Sequence, residues 1–157
     1  AKDWGVTLPE AKETLERWYA DRPEVRDWQR QVLEITKTTG STRTLMGRHR
    51  DLPDINSKDY RKRGRAERAA INTPIQGGAA DVVMMAMLKI HADPALRRMG
   101  WKMLLQIHDE VILEGPQETA EKAKQRLVEC MAHPFKQDLS VQLVVDANIA
   151  DNWYEGK

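Results

Sequence analysis

Cysteine is almost absent from this sequence: Cys130 is the only one among 157 residues. That excludes an internal disulfide and any cysteine-rich zinc site, and the apolar setting LVECM marks Cys130 as a buried thiol. The four histidines, His49, His91, His108 and His133, never fall at the i, i+4 spacing of a helical zinc motif. Any metal would then be bound by oxygen, which points to magnesium or manganese. Long apolar runs are missing too. None approaches the ~20 residues of a spanning helix, so no membrane partner is expected, and the N-terminus lacks a charged-then-apolar signal pattern. Internal repeats and low-complexity tracts are also absent.

What is present is ordinary for a globular protein. Hydrophobic residues make up 41% and charged residues 31%, and the length suits one domain with a sizeable core. The net charge of +1 hides an uneven distribution. From Ser41 to Ala70 nine Lys or Arg face four Asp or Glu, leaving 16 against 20 elsewhere. A basic island of this kind fits a polyanion partner, although on charge alone a solvated loop is the commoner reading.

Along the chain, Thr7, Pro9 and Glu10 spell a helix start, and Leu8, Ala11, Leu15 and Trp18 recur at helical spacing. A second helix is expected from about Pro23 to Thr36, ending at Gly40 and forming an antiparallel pair with the first. Ser41 to Leu52 reads as a small hairpin around Gly47. Pro53 to Lys58 is turn-rich, and basic Tyr60 to Arg65 is expected to be a mobile surface segment. Ala66 to Asn72 is helical in composition. Thr73, Pro74 and Gln76 then supply a fresh helix start, with Thr73 as cap and Gln76 reaching back to it. The run AADVVMMAMLKI is apolar on nearly every side and is expected to be buried centrally. It ends near Asp93 and Pro94, with a short connection from Leu96 to Gly100. Gln117 to Met131 forms an amphipathic helix with Ala120, Ala123, Leu127 and Cys130 or Met131 inward, and Ser140 to Val145 alternates as a last strand. This order predicts an α+β fold in which helices accompany a small antiparallel sheet.

Between the apolar helix and the amphipathic one lies MLLQIHDEVILE, Met103 to Glu114, with His108, Asp109 and Glu110 between two apolar runs. Polar groups there are expensive without a task or a partner. One strand through the whole stretch would exceed the usual ~3 to 10 residues, so the chain folds back as a tight hairpin with Asp109 at its tip. Neighbouring residues on a strand point to opposite faces, so Asp109 and Glu110 serve one site only if the backbone bends there. Phosphoryl transfer needs charge neutralised on the attacking and leaving oxygens, and carboxylate-bridged metal ions ~3.5 to 4 Å apart supply this. On the tripeptide alone, a simple turn with a solvated Glu110 is the commoner reading.

Arg68, Asn72 and Gln76 fall at i, i+4 and i+8 and would share one face if the helix ran through Pro74 with only a kink. All three can donate to minor-groove acceptors, which the base pairs present in similar positions, so the face could hold duplex without reading sequence. The plainer alternative is that Gln76 completes a capping box and Asn72 ends a helix. Gly77 and Gly78 would permit close approach of a backbone.

Two long motifs in order, ERAAINTPIQGGAAD and LLQIHDEVILEGP, resemble the C-terminal part of family A DNA polymerases, the bacterial DNA polymerase I type. HDEVILEGP and the closing DNWYEGK look most like the plant organellar branch, and the similarity runs over essentially the whole chain, including TLMGR at Thr44 to Arg48. The resemblance implies that Asp109 coordinates the catalytic metals, that Glu110 supports that site, and that His108 lies near the primer terminus. It further implies DNA contacts from Arg68, Asn72, Gln76, Gln106 and His108. Gly78 departs from the small hydroxyl residue often found there, with little consequence expected.

The family's first aspartate motif and the fingers helix with its nucleotide-binding Lys and Tyr have no counterpart here, since both precede the point that matches Ala1. The chain therefore looks like the end of a polymerase, with residues about 1–65 the end of the fingers and about 66–157 half of the palm. Its N-terminus resembles a cut and its C-terminus a natural end. The implied activity is DNA-templated synthesis with two Mg²⁺ ions, which Mn²⁺ could replace. Its partners would be primer-template DNA, a deoxynucleoside triphosphate and the N-terminal polymerase segments, and the chain alone should be inactive. The expected compartment is mitochondrion or plastid, with bacterial cytoplasm the alternative. The competing readings are a non-catalytic duplex-binding piece and a metal-dependent nuclease, for which further metal ligands are not found.

Overall fold

The computed structural model describes residues 5–156. The chain gathers into two compact units, Ala1–Gly77 and Gly78–Lys157, where the sequence reading expected one domain with a change of role near residue 65. The architecture is α+β, with helices beside two separate two-stranded antiparallel sheets.

In the first unit, helix α1 (Leu8–Asp21) starts with the expected capping box: the Thr7 amide donates to Glu10 Oε2 at 2.8 Å, and the Glu10 amide donates back to Thr7 Oγ1 at 3.5 Å. Helix α2 (Pro23–Thr39) has Pro23 in its first turn and closes on Gly40 at φ 74°, whose amide donates to the Thr36 carbonyl at 2.8 Å. Strands β1 (Ser41–Arg43) and β2 (His49–Asp51) form the expected hairpin, with Thr42 opposite Arg50.

Helix α3 (Tyr60–Asn72) corrects the reading of Tyr60 to Arg65 as a mobile segment. The Asp59 carboxylate accepts from the Arg61 and Lys62 amides and so starts the helix a turn and a half early, with the basic side chains forming its solvent face. Ala66 and Ala70 on the other face join Leu52 and Ile55 in a small core, against which Leu33 and Ala69 pack.

The fresh helix start at Thr73 is also corrected. Thr73 keeps helical angles, φ −62° and ψ −45°, and its hydroxyl donates back to the Ala69 carbonyl at 2.7 Å instead of capping forward. Residues Thr73–Gly77 form a π turn. Pro74 has no amide to offer the Ala70 carbonyl one turn earlier, and Thr42 Oγ1 from β1 donates to it at 3.2 Å instead.

The second unit contains helix α4 (Gly78–Ala92), the single turn α5 (Pro94–Arg98), strands β3 (Lys102–Ile107) and β4 (Glu110–Glu114), a 3₁₀ turn (Gln117–Thr119) and helix α6 (Ala120–Ala132). Ile90, Leu96, Ala123 and the fully buried Cys130 form the core, with Trp101, Met103, Val111 and Leu113 packed on it from the sheet. Gly115 lies so close to Trp101 that a Cβ would meet the indole at 2.4 Å. α4 is not buried all round as expected: α5, α6 and β3 pack on it, while Met84 and Leu88, one turn apart, are more than half exposed. The strand expected at Ser140 to Val145 is not formed, because β3 and β4 pair only with each other and no described residue offers that segment a ladder.

Asp93 is the polar pivot of this unit. Its carboxylate is buried, caps α5 by accepting from the Ala95 and Leu96 amides at 2.8 Å each, and accepts from Arg126 Nε of α6 at 3.2 Å. Burial pushes its pKa up, but the Leu96 amide, the Arg126 guanidinium and the Ala95 amide outweigh that and hold it below the usual carboxylate value.

Two stability predictions follow from these contacts. Thr42→Val keeps the side-chain shape but removes the buried hydroxyl that donates to the Ala70 carbonyl, and it should cost about 1–2 kcal/mol in urea unfolding, whereas Thr38→Val on exposed helix surface should cost far less. Because the folded pKa of Asp93 is depressed, its contribution is complete above the unfolded value of about 4 and disappears as pH falls through the folded value. Asn caps as well as Asp, so Asp93→Asn should flatten the acid limb of a urea-midpoint-against-pH profile; an unchanged limb would refute the assignment.

Candidate functional site

The expected site residues divide between the two units, and each set is described within its own. In the first, α3 buries Ala66, Ala70 and the adjoining Thr73 while Arg68, Asn72 and Gln76 stay exposed. The helical path does run on through Pro74, by the π turn, so the three form one polar face. The basic residues Arg61, Lys62 and Arg65 of the same helix are exposed as well.

In the second unit, β3 and β4 pair from Lys102 opposite Glu114 to Ile107 opposite Glu110, leaving His108 and Asp109 as a two-residue turn. Asp109 is at the tip, as expected. The register slips at Leu104, an extra residue on β3 that twists the hairpin. Since Val111 and Leu113 face the core, Glu110 with its partner Ile107 lies on the opposite face. His108, Asp109 and Glu110 are all exposed, and neither carboxylate has an ion pair or side-chain hydrogen bond among the described residues.

The turn carries strain. His108 has φ 54°, the only positive φ on a described non-glycine residue, and such a position costs about 1–3 kcal/mol for a residue with a Cβ. A two-residue hairpin turn requires positive φ at its first position to follow the strand twist. Gln106 stabilises the turn, its side-chain amide donating to the His108 carbonyl. Gln106 thus has a structural partner as well as the DNA contact expected of it.

Two adjacent carboxylates at an exposed tip supply hard oxygen donors. Magnesium is held by one or two carboxylates together with substrate phosphates and waters. No cluster of three or more His, Cys, Asp or Glu able to hold a metal occurs among the described residues. The pair therefore fits one side of a metal centre open to further ligands, not a closed cage.

The π turn and the arginines that hold it were not legible in the sequence. Arg50 Nη1 donates to Thr73 Oγ1 and Arg48 Nη2 to the Gly77 carbonyl, each at 3.2 Å. A Cβ on Gly77 would stand 2.5 Å from the Thr44 methyl, so the glycine admits the hairpin's side chain rather than a backbone. The only signal was Pro74 inside a helical pattern after an arginine-rich hairpin.

Comparison with known proteins decides the family, for the model of DNA polymerase family A matches residues 1–155. The chain belongs to DNA polymerase family A. Among the family A relatives, DNA polymerase I B, chloroplastic/mitochondrial, of Arabidopsis thaliana is 52% identical over all of this chain, which covers 15% of that protein. The thermostable DNA polymerase I of Thermus filiformis is 39% identical, again over all of this chain and 18% of its own length. A solved structure, the POL domain of Pol1 from M. smegmatis in complex with DNA primer-template and dNTP, matches 92% of this chain and 25% of its own with TM-score 0.83 at 34% identity. The family A chain described here thus spans about one sixth of the length of the curated relatives it matches. No described helix is long and apolar enough to cross a membrane.

If the turn is strained for function, His108→Gly should relieve it and raise the unfolding free energy by up to about 1 kcal/mol, while template-directed extension by a polymerase carrying the change falls. Equal or lower stability in urea unfolding would show that the histidine is there for the hairpin itself.

Proposed function

We propose that this chain is part of a DNA-templated DNA polymerase acting in replication or repair, joining the 3′-hydroxyl of a primer to the α-phosphate of a deoxynucleoside triphosphate with release of pyrophosphate. The observation that carries the reading is the exposed two-residue turn that sets Asp109 and Glu110 side by side, in a chain whose family and similarity to a polymerase solved with primer-template and dNTP supply the substrates. In this reading residues about 1–65 belong to the end of the fingers and about 66–157 to half of the palm. The relatives named for chloroplast and mitochondrion favour an organellar compartment, with the bacterial cytoplasm as the alternative.

Each residue then has a task. Asp109 holds divalent metal at the tip, and Glu110, on the far side of the turn, supports the same centre. Bound there, Mg²⁺ ions, two in the intact enzyme and replaceable by Mn²⁺, would neutralise charge on the attacking and leaving oxygens. His108 stands beside the primer terminus. Arg68, Asn72 and Gln76 donate to minor-groove acceptors, holding the duplex without regard to sequence, joined by Gln106 near the turn. The basic residues of α3 add phosphate contacts that weaken as salt rises.

Asp109→Asn in the intact polymerase tests this directly. It should lower primer extension by at least about 10³-fold, the loss of several kcal/mol of transition-state stabilisation, while primer-template binding changes little. Full extension by that variant, together with weakened duplex binding by Arg68→Ala, would establish the non-catalytic duplex-binding alternative. The chain by itself should extend no primer, with or without Mg²⁺, and metal-dependent cleavage of DNA by it would point to a nuclease.

A further inference from the structure

We infer that Arg50, with Thr42 and Arg48 of the β1–β2 hairpin, is a positioning residue for duplex binding: the hairpin holds the π turn at Thr73–Gly77, and the turn decides where Gln76 meets the minor groove. This rests on the proposed reading of Arg68, Asn72 and Gln76 as the duplex-contacting face.

The geometry begins with the helix pitch. On an uninterrupted α-helix a step of four residues advances about 40° around the axis, so Asn72 would sit about 40° and Gln76 about 80° from Arg68. A π turn closes its hydrogen bonds from i to i+5 and so turns the chain less per residue. Placed between Asn72 and Gln76, it swings Gln76 back toward the line of Arg68, and three donors that would fan out along a spiral instead track one groove.

A π turn is a rare and poorly favoured backbone state and persists only where its surroundings enforce it. Here one hairpin addresses it from both ends. At its start, Thr42 Oγ1 takes the Ala70 carbonyl that Pro74 cannot serve, and Arg50 Nη1 donates to Thr73 Oγ1 while that hydroxyl donates to Ala69. At its end, Arg48 Nη2 donates to the Gly77 carbonyl, and the Thr44 methyl occupies the space a Cβ on Gly77 would need. A hairpin arginine thereby acts on DNA through a backbone turn and need not touch DNA itself.

The test is a double-mutant cycle in the intact polymerase, reading equilibrium binding of a primer-template duplex and its salt dependence for Gln76→Ala, Thr73→Val, Arg50→Met and the pairwise combinations with Gln76→Ala. Gln76→Ala alone should weaken binding about three- to tenfold, the loss of one hydrogen bond. Thr73→Val removes the acceptor for Arg50 without changing charge; it should weaken binding by a similar factor at unchanged salt slope, and adding Gln76→Ala should then cost less than twofold more. Amide hydrogen exchange at Gln76 and Gly77 should quicken in Thr73→Val and Arg50→Met, with Arg50→Lys restoring much of the protection. Additive losses in the double variants, or a salt slope reduced by about one in Arg50→Met, would overturn the proposal, because Arg50 would then stabilise the fold only or contact a phosphate directly. No effect of Gln76→Ala by itself would mean that the reading of the duplex face has failed, an outcome separate from failure of the coupling.

Discussion

The carbonyl of Ala70 is the constraint on which the first unit turns. A proline four residues later removes the amide that an α-helix would bring to it, and an unmet carbonyl in a buried place costs about as much as a hydrogen bond is worth. The answer is a hydroxyl from a neighbouring strand, Thr42, buried for that purpose. Once Thr42 is committed to Ala70, the hairpin lies along the helix. Arg48, Arg50 and Thr44 then fall on the turn that follows, and Gly77 is required for the fit. A break in helix bonding, which by itself would only weaken the unit, becomes the feature that seats one element on another.

The second unit uses the same device with a charge. Asp93 ends one helix and starts the next, and its buried carboxylate draws Arg126 across from α6. The Cys130 thiol, fully buried, donates to that carboxylate at 4.0 Å; burial pushes its pKa up and the neighbouring negative charge pushes it further. The Trp101 indole donates to Thr119 at 2.9 Å and pins β3 to the turn before α6. The hairpin thus projects from a base fixed at the end away from its tip.

Much of this was legible in the sequence because it follows from local chemistry. Thr7 with Glu10, Gly40, and the helical spacing that buries Ala120, Ala123 and Cys130 are short-range signals, and each element they mark is present. The tip at Asp109 followed from the length of an apolar stretch too long for one strand. Three features were out of reach for one reason, that they depend on partners distant in sequence. Thr73 carried every sign of a cap, but the hairpin made an unbroken helical path more favourable than a restart. The composition of α4 promised burial on all sides, yet burial depends on what else is there to pack. Ser140 to Val145 alternates as a strand should, but alternation selects a face and cannot supply the neighbour a ladder needs.

The strain in the turn at His108 and Asp109 has a geometric origin. Consecutive residues on a straight strand send their side chains to opposite faces, so a carboxylate pair written as Asp-Glu is useless to a single ion unless the chain reverses between or beside them. A two-residue turn is the shortest reversal available, and it demands positive φ at its first position, where glycine or asparagine would sit at ease. Histidine occupies it instead, and Gln106 compensates in part by bonding its carbonyl. A hairpin under no demand but stability would relax this position by placing glycine there. The imidazole therefore holds this position at a stability cost, which the bond from Gln106 offsets only in part.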